Sequence, residues 1–442
     1  MKSPPPRDDP GSLFDFQRLY RAYLDCRENK RHTYHAAKFE LNLEAEILKL
    51  ERELQSKSYK ISRSICFVVT SPTLREVFAA TFRDRVVHHL LYNFLEPIFE
   101  PKFIAQSFAC RRGKGIHPSL NYLKKCLRQI TQNGREKAYF LHLDIKGFFM
   151  SLQKDILFAQ ISKFIKDPEL IWLTKLIIFN DPTLDFTSKS DKALFDRIPP
   201  HKSLFHVPKN QGLPIGNLTS QFFANVYLNE LDQFAKRQLK SAYYIRYVDD
   251  ILFLSKDKEQ LKAWVGQINT FVKERLGLEL NFKKQILQPV DKGVDWLGYI
   301  VKPGRVLVRP RVVRAFKRKL FLINQELVNG PPSPNNKKTG QLLLPFADQE
   351  APLEKIEKIL ATVNSYFGFF RHANTFKLRY KLWSKNFGLI RDYLETKEID
   401  DLANPHELIA FQIKPDFIKK CQEERNKDWP ISETIIQKKT KT

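Results

Sequence analysis

Two adjacent aspartates, Asp249 and Asp250, interrupt the β-prone run AYYIRYVDDILFLS at residues 242–255. Aromatic and β-branched residues on both sides of a short polar break predict a hairpin whose turn presents the carboxylates. Two unpaired anions at the end of a buried strand are costly to desolvate, so something cationic is expected to neutralise them. A third acid, Asp144, ends another apolar stretch, YFLHLD. If the two strands are neighbours, three carboxylates converge. Hard oxygen ligands in that number suit Mg²⁺, which keeps positions for water and phosphate oxygens. Two such ions would stabilise both the attacking 3′-oxygen and the leaving pyrophosphate of a nucleotidyl transfer. An isolated Asp-Asp pair would only cap a turn, so the surrounding residues decide.

The bulk of the chain agrees with a polyanionic partner. It has 442 residues, enough for several packed subdomains, and a net charge of +25 from 74 basic and 49 acidic residues. Such an excess repels itself at the surface unless a polyanion is present, and nucleic acid is the usual one; a basic surface of no specific purpose is the alternative. The five cysteines, Cys26, Cys66, Cys110, Cys126 and Cys421, show no C-x-x-C spacing, which argues against a zinc site or disulfide framework and for a reducing, cytosolic setting. The N-terminal MKSPPPRDDPG has no apolar core of a signal peptide, and no apolar run approaches the length of a membrane span.

The elements that must position these acids are readable in outline. Residues 1–12 are proline-rich and expected to be disordered. Leu13 to Leu54 is helical, with Leu43, Ile47, Leu50 and Leu54 on one stripe. Ile61 to Thr70 reads as a strand broken by Ser71-Pro72, and Arg85 to Glu96 as a helix closed by Pro97. Residues 181–210 read as a polar insertion or long loop. Thr219 to Gln238 is a helix carrying Phe223, Val226, Tyr227, Leu231 and Phe234 on one face. Residues 329–352 are the best linker, helices follow from Leu353 to Leu394, and residues 395–442 read as a charged tail. The 35 phenylalanines are assigned to core filling first and base stacking second.

Beyond these physical readings, Tyr247-Val248-Asp249-Asp250 resembles the Y-x-D-D box of reverse transcriptases, and Asp144-Ile145-Lys146-Gly147-Phe148-Phe149 resembles the family's first carboxylate motif. The order of the boxes is that of the family, and an ordered set is far more specific than four letters. Arg75-Glu76-Val77 and the run Ser107 to His117 resemble the fingers motifs, with His117 assigned to structure. Leu278 to Lys284 resembles the motif whose last Lys lies near the triphosphate, although Gln285 replaces the usual Thr. Asp295-Trp296-Leu297-Gly298-Tyr299 resembles the primer-grip hairpin. Between the carboxylate motifs, Ile215-Gly216-Asn217-Leu218-Thr219-Ser220-Gln221 departs from the common Q-G-x-x-x-S-P. Its I-G-x-x-x-S-Q form is similar to that of diversity-generating retroelement reverse transcriptases, a group in which the aliphatic residue is associated with misincorporation opposite template adenine. Physically, Ile215 cannot hydrogen-bond near the nascent pair as Gln would, while Gly212 and Gly216 are expected to let the backbone approach that pair.

The resemblance implies an α+β right-hand polymerase fold: fingers after N-terminal helices over 13–137, a palm of antiparallel sheet plus helices over 138–300, and a helical thumb over 301–394. It implies copying of a template RNA into cDNA, with Asp144, Asp249, Asp250 and Lys284 catalytic. Two Mg²⁺ ions, or Mn²⁺, are expected on Asp144, Ile145, Asp249 and Asp250. Arg75, Phe149, Ile215, Gly216 and Lys284 are expected at the dNTP, Phe149 lying under the deoxyribose to exclude a 2′-OH. Arg111, Lys114, Ser220, Gln221, Tyr247, Arg311, Arg314 and Arg318 are expected at template and primer; the three last-named line one face of the helix at 311–328, opposite a core stripe of Phe316, Leu320, Ile323 and Leu327. Expected partners are template RNA, primer and cDNA, dNTPs, and a small basic accessory protein or a structured non-coding RNA, without a membrane, in a bacterial cytosol. A bacterial anti-phage reverse transcriptase is the alternative within this chemistry; a non-catalytic RNA-binding protein on the same scaffold is the alternative outside it, opposed by the intact carboxylate set. A group II intron maturase or retroviral-type enzyme is less expected, because neither an H-N-H-type segment nor an RNase H carboxylate set is seen after Leu394.

Overall fold

A computed structural model describes residues 12–28, 33–70, 73–329, 352–397 and 410–428. The expected N-terminal disorder, apart from Ser12, and the linker at 330–351 lie outside these residues, as does the Ser71-Pro72 break. The chain divides into two compact units, residues 1–290 and 291–442.

The first unit opens with α1 (Phe16–Arg27), α2 (Tyr34–Glu40) and α3 (Leu43–Gln55). Asp15 starts α1 by accepting the Arg18 N–H at 2.7 Å, a side-chain cap for an otherwise orphaned donor. The predicted stripe is real: Ile47, Leu50 and Leu54 are fully buried. After β1 (Ser64–Val69) and β2 (Arg75–Ala79) comes α4 (Phe82–Phe99). Pro97 does not close α4. It sits in the final turn and gives up one helical N–H bond there, yet the helix continues and buries Phe99. Then follow α5 (Ile116–Ile130), β3 (Tyr139–Leu143), α6 (Phe148–Ser151), α7 (Lys154–Ser162) and α8 (Pro168–Phe179).

Residues 181–210 are more than a loop. They contain β4 (Phe186–Ser188), which pairs in parallel with β1, and the short helix α9 (Lys192–Phe195). The polar composition of the segment hid its few apolar residues, and these are what anchor it. Beyond it stand α10 (Leu218–Gln233), β5 (Tyr243–Tyr247), β6 (Asp250–Ser255), α11 (Lys258–Leu276) and β7 (Ile286–Pro289). Strands β5-β6-β3-β7 make one antiparallel sheet in that order. Helix α10 is buried from Thr219 to Leu228 except at Gln221, so it is a central helix covered nearly all round rather than an amphipathic one.

The second unit begins with β8 (Val294–Trp296), β9 (Tyr299–Lys302) and β10 (Arg305–Val308). Among the described residues these three pair with one another and with no other strand. Helices α12 (Pro310–Asn329), α13 (Leu353–Phe370), α14 (Phe376–Asn386) and α15 (Ile390–Tyr393) follow. The supposed tail also folds in part: β11 (Leu394–Thr396) pairs with β12 (Phe411–Ile413), and α16 (Pro415–Asp428) comes after. Phe411, Phe367, Phe387 and Phe316 are buried together with edge-on or tilted rings, so here the phenylalanine excess does fill core. The α+β class with an antiparallel central sheet is as expected. No described helix is long and apolar enough to cross a membrane.

Candidate active site

Strand register alone brings the acids together. Leu143 at the end of β3 faces Ile251 in β6, so continuing that register sets Asp144 beside Asp250. Tyr247 pairs with Asp250 across the β5–β6 turn, leaving Val248 and Asp249 as its two tip residues. Val248 has φ 55°. A two-residue hairpin loop with positive φ at its first position is a glycine's place, and a β-branched residue there is strained by about 1–3 kcal/mol.

What holds the strained turn is a buried network that the sequence did not disclose. Arg246, with no exposed surface, gives its Nε–H to Asp232 Oδ1 at 2.7 Å and an Nη–H to Asp232 Oδ2 at 2.6 Å. It also donates to Asn225 Oδ1 (3.2 Å), to Ser107 Oγ (2.9 Å) and to the Val248 carbonyl (3.1 Å). The Tyr244 hydroxyl donates to the same Asp232 at 2.7 Å. The ion pair is therefore saturated with hydrogen bonds, the condition under which a buried charge pair is tolerable. It ties α10 and the Ser107 loop to the turn that carries Asp249.

Asp144 is held from its other side. Asn281 donates its backbone N–H to the Asp144 carbonyl (2.8 Å) and its side-chain amide to Oδ2 (2.9 Å). Residues 279–281 run alongside 144–146, with Ile145 bridged to Leu280 and Lys146 N–H on the Glu279 carbonyl at 2.9 Å. A 3₁₀ turn, Phe282–Lys284, then returns Lys284, whose ammonium lies 2.9 Å from the Asp144 carboxylate. His142, two residues before Asp144, places Nε2 3.2 Å from Asp250 Oδ1; sequence reading passed over it because strand alternation only becomes informative once the partner strand is known.

The electrostatics follow. Burial first, then the charges of Asp250 and Asp144, push the Asp249 carboxyl up to about 7. Burial works against the Lys284 ammonium, but the hydrogen bond to Asp144 and the three carboxylate charges outweigh it and raise its pKa. Among the described residues no three His, Cys, Asp or Glu side chains are grouped so as to hold a metal ion by themselves. The donor set nevertheless fits a divalent cation. Burial and the two neighbouring carboxylates oppose the charge on Asp249, and an open shell is what Mg²⁺ keeps when substrate phosphates complete it. The Ile145 side chain is buried and has no donor atom, so only its carbonyl oxygen could serve such an ion.

The remaining predicted residues divide. Arg75 is partly exposed and its Nε is a buried donor without a partner. Phe149 and Ile215 are half-buried and pack on one small apolar cluster. Gly216 has φ 131°, and a Cβ there would stand 2.7 Å from the Phe78 carbonyl oxygen; at Gly212, φ 79°, it would stand 2.7 Å from Leu204 Cδ1. At both glycines the protein's own packing leaves no room for a Cβ. Arg111 is a correction: its guanidinium is spent on Glu100 (2.6 Å) and on the carbonyls of Ile104 (2.6 Å) and Ser107 (2.8 Å), with a side chain only 6% exposed. Arg112 is the exposed arginine of that loop. Lys114 donates to the Ala105 carbonyl at 2.9 Å and lies over the Phe108 ring. Ser220 is also a correction, being buried in α10, whereas Gln221 beside it is exposed and Tyr247 half-exposed. In the second unit Arg311, Arg314 and Arg318 are all exposed on α12, with Phe316 and Leu320 buried and Ile323 and Leu327 half-buried on its other face.

Comparison with known proteins places the chain among its relatives. The family model described as reverse transcriptase (RNA-dependent DNA polymerase) matches residues 71–301. The COX1/OXI3 intron 2 protein of Saccharomyces cerevisiae is 24% identical over 297 residues, covering 58% of this chain and 34% of the yeast protein. Escherichia coli YkfC is 22% identical, covering 58% of this chain and 71% of its own. The group II intron-encoded protein LtrA of Lactococcus lactis subsp. cremoris is 21% identical, covering 63% and 53%. The chain thus spans about a third of the yeast relative and about half of the Lactococcus one. Among solved structures, apo telomerase from Candida tropicalis aligns with a TM-score of 0.39 at 12% identity over 56% of each chain.

Proposed function

The chain belongs to the reverse transcriptase (RNA-dependent DNA polymerase) family, and from that premise we propose that it copies a template RNA into cDNA by metal-dependent nucleotidyl transfer. The observation that carries this reading is the meeting of Asp144 with the Asp249–Asp250 turn, with the Lys284 ammonium 2.9 Å from Asp144. Divalent ions of the kind this family uses, Mg²⁺ or Mn²⁺, would be held by Asp144, Asp249, Asp250 and the Ile145 carbonyl, and would stabilise charge on the attacking and leaving oxygens. The chain's own groups do the rest. Lys284, kept protonated by its raised pKa, can give a proton from Nζ to the departing pyrophosphate. The unpaired Arg75 Nε and its guanidinium suit a triphosphate oxygen. Phe149, beneath the sugar, would exclude a 2′-hydroxyl.

The test is primer extension on a defined RNA template with dNTPs or rNTPs. Wild type should extend with dNTPs, and Phe149→Ala should raise the share of ribonucleotide incorporated. An unchanged ratio in the variant would return Phe149 to core packing; no extension by wild type on any primed RNA would sink the polymerase reading.

Template and primer would be gripped through phosphates by Lys114, Gln221, Tyr247 and the exposed arginines of α12. Charge reversal at Arg314 and Arg318 together should weaken duplex binding and lower the salt slope by about two, since two counterion-releasing contacts are lost. Identical affinity and slope in the double variant would remove α12 from the binding surface. The I-G-x-x-x-S-Q form supports error-prone copying at template adenines in a diversity-generating retroelement, with a small basic protein or structured RNA as partner. Relatives that carry intron names favour a second setting, an intron-encoded enzyme. Sequencing the RNA that co-purifies with the chain separates the two.

A further inference from the structure

Residues 185–207 contribute to the same apolar cluster as Phe149 and Ile215. The cluster consists of Cys66, Phe78, Met150 and Leu204, with Phe149, Ile215, Phe186, Phe195 and Val207 packed around it. Phe149 comes from α6 and Ile215 from the turn before α10, and the inserted segment supplies Phe186, Phe195, Leu204 and Val207. It is fastened at several points. Strand β4 extends the β1–β2 hairpin, the Lys189 N–H donates to the Cys66 carbonyl at 2.8 Å, and the Val68 N–H donates to Ser190 Oγ at 3.0 Å. Glu76, 2% exposed, accepts the Ser203 hydroxyl at 3.0 Å and also the Leu204 N–H. A buried carboxylate with two donors on one short turn fixes that turn tightly. On the opposite flank the Phe78 N–H donates to the Ile215 carbonyl at 2.8 Å, and the Leu213 N–H to the Phe149 carbonyl at 2.8 Å. The clearance is small, because a single carbon added at Gly212 would meet Leu204 Cδ1 at 2.7 Å and Val207 Cγ2 at 3.1 Å.

We infer that the inserted segment is a specificity element of the nucleotide pocket, with Leu204 as the positioning residue that backs Phe149 and Ile215 and so sets how closely the pocket follows the sugar and base of the incoming nucleotide. Packed interiors transmit volume changes. Removing the Leu204 side chain opens space into which Phe149 can retreat, without touching the carboxylates or Lys284. The inference rests on the reading of Phe149 as the sugar-sensing residue, and its test is built to tell the two apart.

In the 442-residue chain, Leu204→Ala, Phe149→Ala, the double variant and Ile178→Ala are compared for the ratio of rNTP to dNTP incorporation, with melting temperature measured for each. Ile178 is fully buried in α8 within the other, larger cluster, so its truncation reports general loosening. Leu204→Ala should raise the ratio by roughly threefold, Ile178→Ala should leave it, and Leu204→Ala should add nothing once Phe149 is already Ala, because on this inference Leu204 acts only through Phe149. If Leu204→Ala fails to fold, Leu204→Val carries the same comparison at smaller amplitude. A shift in Phe149→Ala but none at Leu204 overturns the inference and leaves the Phe149 reading standing. Equal shifts at Leu204 and Ile178 also overturn it, as loosening without specificity. No shift in any variant, Phe149→Ala included, removes the Phe149 reading and the inference with it.

Discussion

Asp249→Asn is expected to abolish primer extension and, in the absence of divalent metal, to make the protein more stable above neutral pH. The two effects have one cause. Burial and the neighbouring Asp250 and Asp144 raise the Asp249 carboxyl from its ordinary value to about 7. An acid whose pKa is raised on folding binds more protons in the native state than in the unfolded one between those two values, so stability falls as pH rises through that window. The penalty is absent below about pH 4, grows to about pH 7 and is constant above. A shift of this size corresponds to roughly 2 kcal/mol once discounted for the residue's remaining exposure. Asparagine removes the charge with little change of shape, so the melting temperatures of variant and wild type in chelator should coincide near pH 4 and diverge toward pH 8, the variant melting higher. Saturating Mg²⁺ should close the gap from the wild-type side, because a bound cation stabilises the form that holds it. A variant that melts below wild type at pH 8 in chelator would show that the three carboxylates do not oppose one another, and one that extends primers at the wild-type rate would remove Asp249 from the chemistry.

Ile215→Gln is expected to lower errors opposite template adenine about tenfold relative to errors opposite other bases, since one contact worth about 1.4 kcal/mol in discrimination suffices. Ile215 packs on the apolar cluster of Phe78, Met150 and Leu204 while its carbonyl is fixed by the Phe78 N–H. The backbone there will not move, so a longer polar side chain must either reach the nascent pair or bury an amide against apolar carbon at a cost in activity. Sequencing of cDNA made by both enzymes from one template under equal extension distinguishes the outcomes. Wild type without adenine-biased errors would argue against the retroelement setting. A variant as biased as wild type would leave the I-G-x-x-x-S-Q form as a mark of ancestry, with fidelity set elsewhere.

The acids were legible because charge inside an apolar β-prone run is expensive wherever it occurs, and two such runs must be neighbours for the expense to be met. Strand register then does what the sequence implied, setting Asp144 against Asp250. The groups that hold the acids were not legible. Asp232, Asn225 and Ser107 are ordinary letters until a buried guanidinium joins them. Arg111 and Ser220 looked like phosphate and template contacts, and nothing local says that Glu100 takes up the one and that the other is buried in α10. The strand in the insertion is three residues long and pairs with β1 more than a hundred positions earlier, and the pairing of β12 with β11 is equally invisible to periodicity. Sequence patterns report what a segment prefers; these elements are decided by what lies across from them.

The Arg246 network also constrains the order in which the protein can come into being on a ribosome. Asp232 has no exposed surface, and its cation arrives 14 residues later. Until then α10 cannot settle, because a lone carboxylate would be left in the core. The Ser107 loop waits longer still, across 139 residues, for the guanidinium it supports. Strand β3 lies between β6 and β7 in the sheet, so it has neither neighbour until residues 250–289 have been made. Contacts of such separation form late and slowly. The carboxylates consequently gather only after most of the first unit has been synthesised, and a nascent chain that stops short of β6 carries Asp144 on an unpaired strand with no site to lend it to.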